Sequence, residues 1–178
     1  MFVNIIVVYC NNRGIGYNNL LPWKISSDLK KFKKLTVGNE NNAIIMGKNT
    51  WNSLNKKSLP KRDNLILSSS LNINIIKDNI TKSFKNENLL KEFIMKKKYD
   101  EIWIIGGENI YDLFLNKTNI FKIDKIYVTL INKEFKCDVY FPNIDKNKYS
   151  FISKSIHIYN NSNNENEDIY DIIYENKN

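Results

Sequence analysis

The 178-residue chain has little of several residues that would otherwise declare its chemistry. It has two cysteines, Cys10 and Cys137, far apart in sequence and without metal-ligand spacing. That excludes a disulfide framework or a zinc motif and fits reduced, buried thiols in a cytosolic protein; no metal is expected. The one histidine, His157, lies in an alternating run over residues 151–158. It reads as a strand residue, so chemistry that depends on a catalytic histidine is disfavoured. No apolar run approaches the ~18–20 residues needed to cross a bilayer. The opening ten residues lack a basic start and a small-residue cleavage site, and read as a strand rather than a leader. There is no internal repeat and no linker, so one domain over residues 1–178 is expected.

What is present is enough for a core: 42% of residues are hydrophobic and 12% aromatic, which excludes a wholly disordered chain. The formal charge is +8, from 27 basic against 19 acidic residues. A basic field attracts nucleic acid or small polyanions such as phosphorylated cofactors. The lysines are scattered and no nucleic-acid motif is present, so nucleic acid is not the expected partner. Asparagine is abundant in turns and on polar faces and carries no functional reading.

The apolar run at 3–9 fits a strand buried on both faces. Turn chemistry follows at Gly14, Gly16, Asn18 and Asn19, then Leu21-Pro22-Trp23, then a segment of helical period with Ser26 or Ser27 as cap. On that helix Ile25, Leu29, Phe32 and Leu35 make one apolar stripe, and Lys30, Lys31, Lys33 and Lys34 fall outside it. Asp28 lies inside the apolar arc. It is either a first-turn acid favoured by the helix dipole or a carboxylate facing a ligand at the floor of a pocket.

A short strand at 43–47 ends in glycine, and a helix starts at once with Lys48. That join either holds an anion or is an ordinary connection. Residues 64–67 form a strand that runs into Ser68, Ser69 and Ser70, and residues 73–76 suit another short strand. Residues 86–98 form an amphipathic helix through Leu89, Leu90, Phe93 and Ile94. A strand at 102–105 leads into Gly106-Gly107 and a helix at 108–115; paired glycines there permit close approach of a phosphate but lack the dinucleotide fingerprint. Residues 123–131 form a strand containing Thr129, and strands at 149–159 and 169–175 flank a polar loop. The order predicts an α/β fold: a mostly parallel central sheet with an antiparallel C-terminal edge and helices on both faces.

With these pieces in order, the chain resembles a dihydrofolate reductase over nearly its whole length. The resemblance is carried by Gly14-Ile15-Gly16, Leu21-Pro22-Trp23, Asp28-Leu29 with Phe32, and Met46-Gly47-Lys48 with Thr50-Trp51 and Ser53. It continues through Leu59-Pro60 with Arg62, Leu67-Ser68, Ile105-Gly106-Gly107 with Tyr111, Tyr127 with Thr129, and Asp138 with Phe141-Pro142. It implies NADPH-dependent hydride transfer to C6 of 7,8-dihydrofolate, with a proton gained at N5. The catalytic set implied is Asp28, Trp23, Thr129 and Leu21: Asp28 on the pterin edge, Thr129 supporting it, Trp23 holding a water and Leu21 in the lid. Ile6, Val8, Leu29, Phe32, Leu54 and Ile105 would line the substrate cleft, and Arg62 would pair with the glutamate carboxylate. Ile15, Gly16, Gly47, Lys48, Asn49, Thr50, Leu67, Ser68, Ser69, Ile105, Gly106, Gly107, Asn109 and Tyr111 would surround NADPH, with Lys48 and the serines at the 2′-phosphate. The resemblance further implies a cis Gly106–Gly107 bond and a mobile lid over residues 11–23, tethered by Asp138.

Asn49 and Asn109 stand where some relatives carry other cofactor-contacting residues, and Leu21 where many carry methionine. Rival readings are a pteridine or riboflavin-pathway reductase and a folate- or RNA-binding protein without catalysis. Some members of the family are fused to thymidylate synthase, so this chain is either fused to such an enzyme, works beside one, or stands alone.

Overall fold

A computed structural model describes residues 1–55, 57–70, 78–160 and 166–177. In chain order its elements begin with β1 (Phe2–Cys10), β2 (Gly14–Gly16), α1 (Ser26–Val37), β3 (Ala43–Gly47), α2 (Lys48–Ser53), β4 (Asp63–Leu67) and β5 (Thr81–Phe84). They continue with α3 (Glu87–Lys97), β6 (Glu101–Gly106), α4 (Glu108–Asp112) and a π-helical turn (Leu113–Lys117). The chain closes with β7 (Lys125–Ile131), β8 (Val139–Tyr140), β9 (Tyr149–Asn160) and β10 (Asn166–Asn176).

The main sheet runs β5-β4-β3-β6-β1-β7-β10-β9. Its pairings are parallel from β5 through β7, while β10 is antiparallel to both β7 and β9. The expected architecture is observed, and its antiparallel edge is a whole hairpin. Alternation assigns each strand's residues to two faces. Val3, Ile5, Val7, Ala43, Ile45, Ile102 and Ile104 pack with Leu90 and Ile94 of α3 and Ile110 and Tyr111 of α4. On the opposite face Ile6, Ile44, Met46, Ile66 and Trp103 pack with Trp51 of α2 and Phe32 and Leu35 of α1. Helices therefore cover both faces.

The connections place the crevice. β1 and β3 lead to α1 and α2 on one face, whereas β6, inserted between them, leads to α4 on the other. In an open α/β sheet, ligands sit past the carboxyl ends of strands whose connections diverge in this way.

Several local expectations need correction. Ile25, not a serine, is the N-cap of α1, and Ser26 and Ser27 are inside the helix. Leu29 is 60% exposed rather than packed with its stripe. Among the described helices, α3 is the one with a side-chain cap, Asn86 accepting from Leu89 N–H at 3.0 Å; Leu89 itself is exposed. The strand expected at 73–76 lies within residues 71–77, outside the described residues, while β5 at Thr81–Phe84 carries no apolar run that would have announced it. Cys10 and Cys137 are not apart in space: their sulfurs lie 3.9 Å from one another, both thiols being free. Burial and the contact with Cys10 push the Cys137 thiol up to about 11.

Candidate active site

Asp28 sits in the first turn of α1, within hydrogen-bond reach of β7. Thr129 is buried in β7, and its hydroxyl donates to Asp28 Oδ1 at 2.8 Å. The Asp28 side chain is 13% exposed. Burial raises its carboxyl above the ordinary range, while the Thr129 bond and the nearby Lys31 ammonium act against that rise. A carboxylate kept partly dry, with a hydroxyl on one oxygen, can accept a paired amine and ring N–H from a planar heterocycle.

Around this pair, Ile6 is buried, and Val8, Phe32, Leu54 and Ile105 are half-buried. Arg62 is almost fully buried (4% exposed), with Nε donating to the Pro60 carbonyl at 3.2 Å, Nη1 donating to the Thr36 hydroxyl, and its carbon 5.7 Å from the centre of the Phe32 ring. Burial lowers its pKa from the ordinary value. These contacts orient a planar, bidentate donor at the far end of α1 from Asp28.

The segment expected as a lid is built on a small second sheet. β2 pairs with β8, Asp138 N–H donates to the Gly16 carbonyl at 3.0 Å, and Asn18 N–H donates to Asp138 Oδ2 at 2.9 Å. Trp23 is buried, its ring edge-on to Phe135 at 5.3 Å, whereas Leu21 is 55% exposed on the rim. A cleft lined by Asn18, Asn19, Leu20, Asn49, Asn52, Ser53 and Asn55 separates lid from α2.

Two glycine-ended strands lie side by side, Met46 of β3 opposite Gly106 of β6. Gly47 and Gly107 are the N-caps of α2 and α4, and no side chain caps either. The Gly106–Gly107 peptide is cis, and a Cβ on Gly106 would meet the Tyr111 ring at 2.8 Å. Lys48 Nζ donates to Ser70 Oγ at 3.1 Å, and the Ser68 hydroxyl accepts from Ser70 N–H. A strip of bare backbone thus ends in an ammonium and hydroxyls, a donor set suited to an extended phosphorylated molecule.

A family model for dihydrofolate reductase matches residues 2–175. The chain belongs to the dihydrofolate reductase family. It is 34% identical over 164 residues to the dihydrofolate reductase of Sus scrofa, covering 85% of each chain. It is 37% identical over 160 residues to that of Buchnera aphidicola subsp. Baizongia pistaciae, covering 86% of this chain and 85% of the relative. The bifunctional dihydrofolate reductase-thymidylate synthase of Paramecium tetraurelia is 36% identical over 139 residues, which is 78% of this chain and 27% of that protein.

The cofactor of dihydrofolate reductases is NADPH. The bare N-caps and the polar end at Lys48, Ser68 and Ser70 are compatible with it. Asn49 and Asn109 are exposed beside this strip, and Thr50 Oγ1 is 3.4 Å from where a Gly107 Cβ would be. Ser68 is half-buried and Ser69 exposed just past β4. Ile15 is half-buried near the lid base, and Tyr111 is buried with its hydroxyl donating to the Ile6 carbonyl at 2.9 Å. Leu67 is the exception in character: its side chain packs in the core, so its backbone alone borders the strip.

Sequence reasoning missed the surroundings of Asp28. Lys31, placed outside the apolar stripe, donates to both Thr129 Oγ1 and Asp171 Oδ1. Its spacing of three from Asp28 on one helix was the available signal. Asp171 had none, because its place opposite Thr129 is set by the register of β10 on β7. His157 stands on β9 as expected, with Nε2 3.4 Å from Asp171 Oδ2.

Proposed function

We propose that dihydrofolate docks its pterin edge on Asp28, and that NADPH lies along Gly47, Gly106 and Gly107 with its 2′-phosphate at Lys48, Ser68 and Ser69. The reaction is the family's: reduction of 7,8-dihydrofolate to tetrahydrofolate with NADPH. The observation that carries the assignment of the site is the partly dry Asp28 carboxylate bonded to the buried Thr129 hydroxyl.

Bound NADPH supplies the hydride. The chain supplies the rest. Asp28 accepts from the 2-amino and N3 edge, and its raised proton affinity favours a proton at N5 near neutral pH. Ile6, Val8, Leu29, Phe32, Leu54 and Ile105 line the substrate, Arg62 takes the glutamate carboxylate, and Trp23 holds a water. Ile15, Gly16, Asn49, Thr50, Leu67, Asn109 and Tyr111 complete the cofactor's surroundings. Leu21, with the segment tied to Asp138, closes over the hydride path and keeps bulk water out.

We further read residues 1–178 as one domain of the cytosol. The eight-stranded sheet takes strands from both ends of the described chain, both cysteines are free thiols, and no described helix is long and apolar enough to cross a membrane. The bifunctional Paramecium relative supports a working partnership with thymidylate synthase, either fused or separate.

The test is loss of absorbance at ~340 nm, the signal of reduced nicotinamide, with NADPH, dihydrofolate and purified protein. Methotrexate-sensitive oxidation is expected; folded protein that binds folate without oxidation would overturn the reading. Lys48→Ala is expected to weaken NADPH about tenfold while leaving NADH little changed, as befits a lost charged hydrogen bond. Equal losses for both would remove Lys48 from the 2′-phosphate.

A further inference from the structure

We propose that Lys31, with Asp171 as its counter-ion, is a positioning residue that turns the Thr129 hydroxyl toward Asp28 and sets the pH range in which the site works. The proposal rests on the reading of Asp28 as the pterin-binding carboxylate.

Three groups converge on one oxygen. Asp28 Oδ1 is 2.8 Å from Thr129 Oγ1, Asp171 Oδ1 is 3.2 Å from it, and the Lys31 ammonium donates to it. A hydroxyl has one proton to give and two lone pairs to offer; an ammonium only gives. Lys31 therefore takes a lone pair and leaves the proton for one of two competing carboxylates. The same ammonium donates to Asp171 Oδ1, so that oxygen is already supplied. It stands 3.7 Å from Asp28 Oδ1, outside hydrogen-bond distance, so Asp28 depends on Thr129 for its donor. The hydroxyl proton goes to Asp28.

The arrangement is imposed by the elements. Lys31 follows Asp28 by three residues on α1, and Asp171 is the register partner of Thr129 across β7 and β10. Asp28, Lys31 and Asp171 side chains are 13%, 25% and 26% exposed, so their charges act on each other with limited screening by water. Other titratable groups face the cluster from two sides. His157 on β9 has Nε2 3.4 Å from Asp171 Oδ2, and Tyr111 on α4 donates to the Ile6 carbonyl. The electrostatic directions agree: Lys31 lowers the proton affinity of Asp28, and Asp171 raises it. Without Lys31, two carboxylates would share one hydroxyl proton, and one of them would hold on to a proton of its own.

The first test needs no turnover. The Asp28 carboxyl is followed by carbon-13 NMR through a pH titration of the free protein, in wild type, Lys31→Met, Asp171→Asn and the double variant. Its midpoint is expected to rise in Lys31→Met, to fall in Asp171→Asn, and to return toward wild type in the double variant. The alkaline limb of NADPH oxidation should move in the same directions, whereas a merely structural role would scale turnover at every pH without moving the limb. A Lys31→Met midpoint equal to wild type, or no return in the double variant, would overturn the proposal. Should Lys31→Met fail to fold, the fall in Asp171→Asn decides alone. A wild type that titrates as described but oxidises no NADPH would instead overturn the assigned function.

Discussion

Asp28 shows how one side chain couples function to stability. Because burial raises its pKa in the native state, the folded protein holds that proton more tightly than the unfolded chain does. Stability therefore falls as pH rises from the ordinary carboxylate range, near ~4, through the raised native value. Above that value the full cost of the buried charge is present. Asp28→Asn keeps an acceptor for the Thr129 hydroxyl and removes the charge. We expect it to melt higher than wild type at pH ~7, with the two melting temperatures converging below pH ~4. Turnover should drop about a hundredfold or more, most severely at neutral to high pH. Melts at several pH values check the first part, and a gap independent of pH would contradict it. Asp28 was legible in the sequence because a carboxylate inside an apolar arc is conspicuous. Lys31 was not, since a helical wheel places its Cβ outside the stripe while its four-carbon stem reaches back over it.

Among the elements, the lid depends on a sheet of two short strands. β2 offers three residues and β8 two, so main-chain pairing alone gives little persistence. Asp138 adds two bonds that span the pair, from its own N–H to Gly16 and from Asn18 N–H to its carboxylate. Arg13 contributes another, Nη1 to the Phe141 carbonyl at 3.1 Å. Asp138→Ala removes an exposed hydrogen bond of about 0.5–1.5 kcal/mol from the proposed lid and none from the core. Turnover is expected to fall about tenfold, with the melting temperature lowered by no more than about 6 °C. A large drop in melting temperature with unchanged turnover would show that the tether serves the fold and not the lid. Asp138 was placed by resemblance; nothing local in Lys136-Cys137-Asp138-Val139 announces a tether. β5 was illegible for a different reason. Thr81-Lys82-Ser83-Phe84 is a strand because β4 offers it a parallel edge, with Asn64 opposite Thr81 and Leu67 opposite Phe84, and tertiary pairing outweighed its weak pattern.

At the scale of the molecule, the fold class was readable because β1, β3, β4 and β6 are apolar on both faces, which only a covered parallel sheet demands. Strand order was not, because the insertion of β6 between β3 and β1 depends on contacts between residues about sixty and about a hundred apart, Ala43 and Val3 each with Ile102. That insertion makes the crevice past the carboxyl ends of β3 and β6, where the glycine strip lies. The net charge of +8 acts on the same crevice from a distance. A field of this sign raises the encounter rate of an anion, and the benefit grows with the anion's charge. NADPH carries one more phosphate than NADH, so its association should be the more strongly steered. Stopped-flow association rates measured from ~0.01 to ~0.15 M salt, where the screening length contracts from about 30 to 8 Å, are expected to fall severalfold for NADPH and less for NADH. Parallel slopes for the two cofactors would mean that the extra phosphate is read after contact, by Lys48 and its neighbouring serines, and not by the field that brings it there.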